Sequence, residues 1–236
     1  MEELINADYS QRVVIATDEV PWIPSPMAGV ERRPLDRIGG EVARATSLVR
    51  YAPGSNFPAH DHALGEEFLV IDGVFSDEHG DYPTGTYVRN PPGSRHSPRT
   101  GPGCVIFVKL RQMPVTERER VVIDTGAAEW QQGFVPGHAR LPLYSAGPDG
   151  ETVTMERLDA GASLPAYDRE GGEELLLISG DLADGEHSYP VRTWIRSPDV
   201  YRQGLHSRYG AVYWVKRGHL TGSRSEERRV GKECRS

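Results

Sequence analysis

A shift of 107 residues lays the second half of this sequence on the first. Gly54, Pro58, Ala59, Asp61, Gly65, Glu66, Glu67, Leu69, Ile71 and Gly73 recur without a gap as Gly161, Pro165, Ala166, Asp168, Gly172, Glu173, Glu174, Leu176, Ile178 and Gly180. The same shift carries Tyr82 and Pro83 onto Tyr189 and Pro190, Arg89 onto Arg196, Pro91 onto Pro198, and Val108 and Lys109 onto Val215 and Lys216. About a third of the aligned positions are identical. A leading arm repeats as well, with Arg12, Val13, Val14, Ile15 and Trp22 matched by Arg120, Val121, Val122, Ile123 and Trp130. A period of this size is that of a domain rather than of a solenoid unit, so the chain must build one fold twice.

Each copy reads as short strands. Glu67–Ile71, Thr86–Arg89 and Cys104–Leu110 are rich in β-branched and aromatic residues and are bounded by Gly, Pro, Asn and Asp. Pro91, Pro92 and Gly93, like Ala52, Pro53 and Gly54, mark turns, because proline fixes φ and glycine permits positive φ. No long segment has helical periodicity. The expected class is therefore all-β, with a copy boundary between Met113 and Glu119. We expect a first domain over 1–113 and a second over 114–223. Residues 224–236 (RSEERRVGKECRS) resemble the translation of a sequencing adapter and are set aside as a tail, together with Cys234.

Charge and composition narrow the function classes. The net charge of −7, with acidic and basic residues interspersed, argues against a nucleic-acid partner. No apolar run approaches the roughly 20 residues of a membrane helix. The opening residues Met1 to Asn6 lack a basic start and an apolar stretch, so a soluble cytoplasmic protein is expected. Cys104 lies in an apolar strand, which excludes a cysteine-based zinc site and a disulfide framework.

The chemistry concentrates in the first copy. His60 and His62 are two apart in a strand, so their imidazoles share a face. A turn at Gly65 brings Glu66, and the segment from Pro91 returns His96. Three neutral nitrogens and one carboxylate suit a single divalent transition metal, with Zn or Fe first and Mn, Ni or Co also compatible. The pattern Gly54-x5-His60-x-His62-x3-Glu66-x6-Gly73, followed by Gly85-x5-Pro91-x-Gly93-x2-His96, resembles both motifs of the cupin superfamily. It departs from them in having Thr100 where the second motif usually has Asn. The stretch Val74 to Asn90 is similar to the ChrR cupin-like family. That resemblance spans about residues 10–220 and implies two tandem jelly-roll-like cupin barrels, the double-stranded β-helix, with His60, His62, Glu66 and His96 as metal ligands.

The second copy lacks the set: Tyr167, Arg169 and Gln203 stand where the first has His60, His62 and His96, while Glu173 keeps the place of Glu66. A metal-free barrel is expected there, with the Arg169 guanidinium replacing the cation beside Glu173. His187 and His206 match no ligand position. His79, His138 and His219 are expected at the surface, and Glu67 either supports the site or is structural. Three functions remain open. The first is a metal-dependent enzyme, which the resemblance implies as a dioxygenase cleaving small β-diketones or hydroxylated acetophenones. The second is a sensor related to the anti-sigma factor ChrR. No His-x3-Cys-x2-Cys precedes the first barrel, which argues against direct sigma-factor binding. The third is a structural zinc protein. For an enzyme, an apolar pocket with Arg95 or Tyr87 near its mouth is expected, taking a small-molecule ligand. Tyr51, Tyr82 and Arg89 are barrel residues whose direction depends on register. The chain is expected to be a monomer or a homodimer.

Overall fold

The computed structural model describes residues 3–40, 42–148, 150–167, 170–198 and 204–220; the tail 224–236 lies outside the described residues. Apart from one 3-10 turn at Thr17–Glu19, the regular elements are strands, and no described helix is long and apolar enough to cross a membrane. The chain divides into two units, residues 1–7 with 20–128, and residues 8–19 with 129–236. Each unit therefore includes the leading arm of the other copy. Both leading arms change places: Val13–Ala16 pairs antiparallel with Thr193–Ser197 in the second unit, and Val121–Asp124 pairs with Thr86–Asn90 in the first. The arms are edge strands, whose unpaired backbone groups bond to whichever sheet edge is presented to them. Composition carries no record of which edge that is.

In the first unit the main sheet runs, in spatial order, Glu3–Ile5, Val30–Gly39, Ala43–Tyr51, Cys104–Leu110, Glu66–Asp77, Thr86–Asn90 and Val121–Asp124. Its pairings are antiparallel. The strand Glu66–Asp77 leaves this sheet in its second half, where Val74 to Asp77 pair with Gly80–Pro83. A separate ribbon pairs His60–His62 with Ser94–His96. In the second unit Thr152–Leu158, Ala211–Arg217, Glu173–Gly180 and Thr193–Ser197 repeat the central order. The start of each of the last three lies 107 residues beyond its counterpart in the first unit, so the repeat read in the sequence is a repeat of strands. Both copies also carry the same irregularity, a register shift at Val105/Ile106 and at Leu177/Ser179.

Alternation along the strands decides what each face does. In the first unit Phe68, Val70, Val88, Ile106 and Val108 turn to one core with Phe57, Phe75 and Tyr82. There the Tyr51 ring meets Phe57 at 5.2 Å and Phe75 at 5.8 Å edge-on, contacts worth about 0.5–1.5 kcal/mol each beyond area burial. The other face of the same sheet is polar yet buried. Glu67 stands opposite Lys109 on one side and Arg89 on the other, and it accepts hydrogen bonds from the Arg89 guanidinium at 2.9 Å and the Tyr87 hydroxyl at 2.8 Å. Glu174, Lys216 and Arg196 repeat the arrangement, and the His219 ring meets Glu174 at 3.0 Å. Glu67 thus belongs to a structural charge layer. His219, expected at the surface, belongs to the matching layer, its side chain only 4% exposed.

Candidate metal centre

The ribbon of His60–His62 and Ser94–His96 assembles the centre through register alone. His96 lies directly opposite His60, and Ser94 opposite His62, so the period of two puts His60, His62 and His96 on one face. Asp61 and Arg95 point the other way and form an exposed ion pair at 3.2 Å. The ligand-type nitrogens of the three histidines lie within 4.8 Å of one another, and among the described residues this is the one group of three such donors. Glu66 arrives from the start of the next strand, its Oε2 at 3.5 Å from His62 Nε2 and 3.6 Å from His96 Nε2.

The turn before Glu66 needs its glycine. Gly65 sits at φ 75°, and a Cβ there would fall 2.3 Å from Met113 Sδ. The Gly65 N–H donates to the His62 carbonyl, closing the turn that swings Glu66 back toward the imidazoles.

Supporting bonds fix which nitrogens face the centre. His96 Nδ1 is 3.2 Å from Asp77 Oδ2, and Asp77 in turn accepts from the Tyr82 hydroxyl at 2.9 Å and the His79 N–H at 2.8 Å. Burial alone would raise the Asp77 carboxyl. The bonds from His96, His79 and Tyr82 outweigh it and hold the pKa at about 2. Burial would also depress His96, but the bond to Asp77 and the nearby carboxylates raise it. The Nδ1 proton of His96 is thereby committed to Asp77, and Nε2 turns to Glu66. His60 Nδ1 similarly faces the Pro58 carbonyl at 3.3 Å. Burial lowers the pKa of His62, which favours the neutral ring. Asn90 Nδ2 donates to Glu66 Oε2 at 3.2 Å, orienting the carboxylate.

His62 Nε2 and His96 Nε2 are buried without a hydrogen-bond partner. Each such atom costs about 1–3 kcal/mol if left so. Both aim at one carboxylate oxygen from distances too long for a hydrogen bond, a donor set of the kind that accommodates a divalent cation. The four residues read from the sequence are thus brought together, and they fit such an ion.

The centre opens on a cavity of about 400 Å³ lined by His60, His62 and Glu66. Val30, Val49, Phe57, Val108 and Leu110 form its apolar wall, and Tyr51, Arg32 and Arg111 also line it. Burial keeps the Tyr51 phenol well above its ordinary pKa, so its hydroxyl is a donor at neutral pH. Neither residue expected at the mouth lines it: Arg95 is paired on the outer face with Asp61, and Tyr87 is buried against Glu67. Tyr82 lies in the core, and Arg89 on the opposite sheet face.

In the second unit Tyr167 and Glu173 occupy the places of His60 and Glu66, while Arg169 and Gln203 lie outside the described residues. The guanidinium seen on Glu173 is that of Arg217, at 2.7 Å, with the Tyr167 hydroxyl also bonded to the carboxylate. Arg217 makes two further bonds, 2.6 and 3.1 Å, to Glu156. Burial opposes the Arg217 charge, but Glu173 and Glu156 raise its pKa well above the usual value. His138, expected at the surface, is 2% exposed and meets Glu156 at 3.2 Å. Glu156 and Arg217 hold the positions of Val49 and Leu110, so an ion pair stands where the first unit has cavity wall. Sequence reasoning missed both, because neither belongs to a motif; the signal was a charge at an aligned apolar position.

Two antiparallel barrels with a histidine-rich ribbon in the first define a bicupin. The chain belongs to the ChrR cupin-like family, whose model matches residues 10–114 and again 118–221. No curated protein sequence matches it. Among solved structures it is similar to a putative dioxygenase from Nostoc punctiforme, with a TM-score of 0.73, 16% identity, and 87% of this chain and 82% of that one covered. A putative glyoxylate-induced protein from Pseudomonas aeruginosa matches with a TM-score of 0.69, 12% identity and 87% of each chain. Salicylate 1,2-dioxygenase from Pseudaminobacter salicylatoxidans matches at 0.57, with 11% identity, 77% of this chain and 73% of that one. At these identities the likeness is one of fold.

Proposed function

We propose that this chain is a metal-dependent enzyme of the dioxygenase type, in which His60, His62, Glu66 and His96 hold one divalent transition metal, iron rather than zinc, and a small molecule enters through the adjoining cavity. One observation carries this reading: two buried imidazole nitrogens without a hydrogen-bond partner, those of His62 and His96, converge on Glu66, and His60, His62 and Glu66 line an open, mainly apolar cavity rather than a sealed knot. The dioxygenases among the structural neighbours add support. A redox-active ion bound there supplies Lewis acidity and dioxygen chemistry. The protein's share is positional. Asp77 holds the proton on His96 Nδ1, the Pro58 carbonyl does the same for His60, and Asn90 orients Glu66. Phe57, Val49 and Val108 exclude water from one side of the substrate, and Tyr51 offers a neutral hydrogen-bond donor.

The test is elemental analysis of protein purified without added metal, followed by oxygen-uptake measurements with acetylacetone, a hydroxyacetophenone and salicylate. Stoichiometric iron with uptake that disappears in His62→Ala is the expected result. Stoichiometric zinc with no uptake would overturn the enzyme reading in favour of a sensing or structural role.

A further inference from the structure

We infer that the occupant of the cavity is a small organic anion, a carboxylate on a compact apolar body, received by Arg32 and Arg111. The inference rests on the site proposed above and narrows its substrate class.

The two units provide an internal comparison. Arg32 pairs across the sheet with Val49, and Arg140 pairs in the same way with Glu156, so the two arginines are counterparts. Arg140 is neutralised by Glu156 at 3.2 Å. Arg32 has no such partner, since Val49 offers no carboxylate, and among the described residues it forms no ion pair or side-chain hydrogen bond. Neighbouring arginines do not share this condition: Arg50 is bonded to Glu31 and Arg95 to Asp61. The second unit carries its carboxylate on the strand, and the first leaves the matching guanidinium facing a cavity.

Charge balance along the cavity points the same way. Of the acidic groups lining it, Asp61 is engaged by Arg95 and Glu66 is turned to the histidines. Arg111 adds a second guanidinium without a carboxylate partner, on a backbone held at φ 59°, an uncommon conformation for a residue other than glycine. Tyr51 has Leu158 as its counterpart, so its hydroxyl too is peculiar to the copy with the histidine cluster. The remaining wall is apolar. Arg32 is exposed at the cavity and Arg111 half-buried, so both guanidinium groups are free to take a ligand. A neutral molecule of the same shape would fill the wall without engaging their charge, whereas a carboxylate accepts charge-assisted, bidentate bonds from a guanidinium.

Benzoate and its neutral isostere benzamide are the probes, titrated calorimetrically into the full chain with and without Co(II). Benzoate is expected to bind about tenfold tighter than benzamide, and Arg32→Gln to remove most of that preference. Arg111→Gln should reduce it further, while Co(II) affinity stays at the wild-type level in both variants. Equal binding of the two probes, binding of neither, or a preference that survives both substitutions overturns the inference. The Co(II) titration separates the two proposals. Bound Co(II) without benzoate preference leaves the metal centre standing and removes the anion; benzoate preference without Co(II) binding does the reverse.

Discussion

Replacing Arg217 with leucine should be among the most damaging single changes in the second unit, and a second substitution should relieve it. The Arg217 guanidinium bonds to Glu156 at 2.6 and 3.1 Å and to Glu173 at 2.7 Å, and Glu156 is fully buried. Arg217→Leu leaves two carboxylates without that cation, a loss of about 3–5 kcal/mol. Adding Glu156→Val recreates the Val49 and Leu110 pair of the first unit and removes one stranded charge. The double variant should then be more stable than Arg217→Leu alone, with a coupling of about 1–3 kcal/mol. The pH dependence has a definite sign. Burial would raise the Glu156 pKa, but Arg217 and His138 depress it below the carboxylate range. Its contribution is therefore fully present above about pH 4.3, the unfolded value, and fades as pH falls toward the lower folded pKa. The deficit of Arg217→Leu should accordingly be largest at neutral pH and shrink as the pH falls and the stranded carboxylates, raised by burial once the cation is gone, protonate. Urea unfolding followed by the fluorescence of the buried Trp194 and Trp214 measures all three quantities. A cost under about 1 kcal/mol, the size of an exposed ion pair, or strict additivity in the double variant would refute the reasoning.

Asp77→Asn should weaken divalent-metal affinity about 10–100-fold by freeing the His96 ring, measured by competition with a chromophoric chelator; unchanged affinity would remove Asp77 from the centre. Gly65→Ala should destabilise the first unit by about 1–3 kcal/mol in urea unfolding, from positive φ and the clash with Met113. Met113→Ala in the same chain should recover the steric part only, and full recovery would show that φ is not limiting there. A chelator should lower the melting temperature of wild-type protein but not of His62→Ala, since an ion at a hundredfold excess over its Kd contributes about 2.7 kcal/mol; equal shifts would place the ion elsewhere.

The repeat, the all-β class and the four side chains that meet beside the cavity are legible in the order of residues alone. All of these are local or periodic properties: His60 and His62 share a face by strand parity, Gly65 sets a turn, and the 107-residue shift survives in the strand starts. Which neighbours those residues meet depends on long-range pairing. Arg12 could be read as the counterpart of Arg120, but not that each arm joins the sheet of the other copy. His138 and His219 carry no burial signal in their own segments, and it is Glu156 and Glu174 from distant strands that bond to them inside the sheet. Cross-strand register alone sets Arg32 against Val49 instead of a carboxylate. A hydrogen bond or an ion pair across a sheet is fixed by register and by long-range pairing, and neither is written in the composition of one strand.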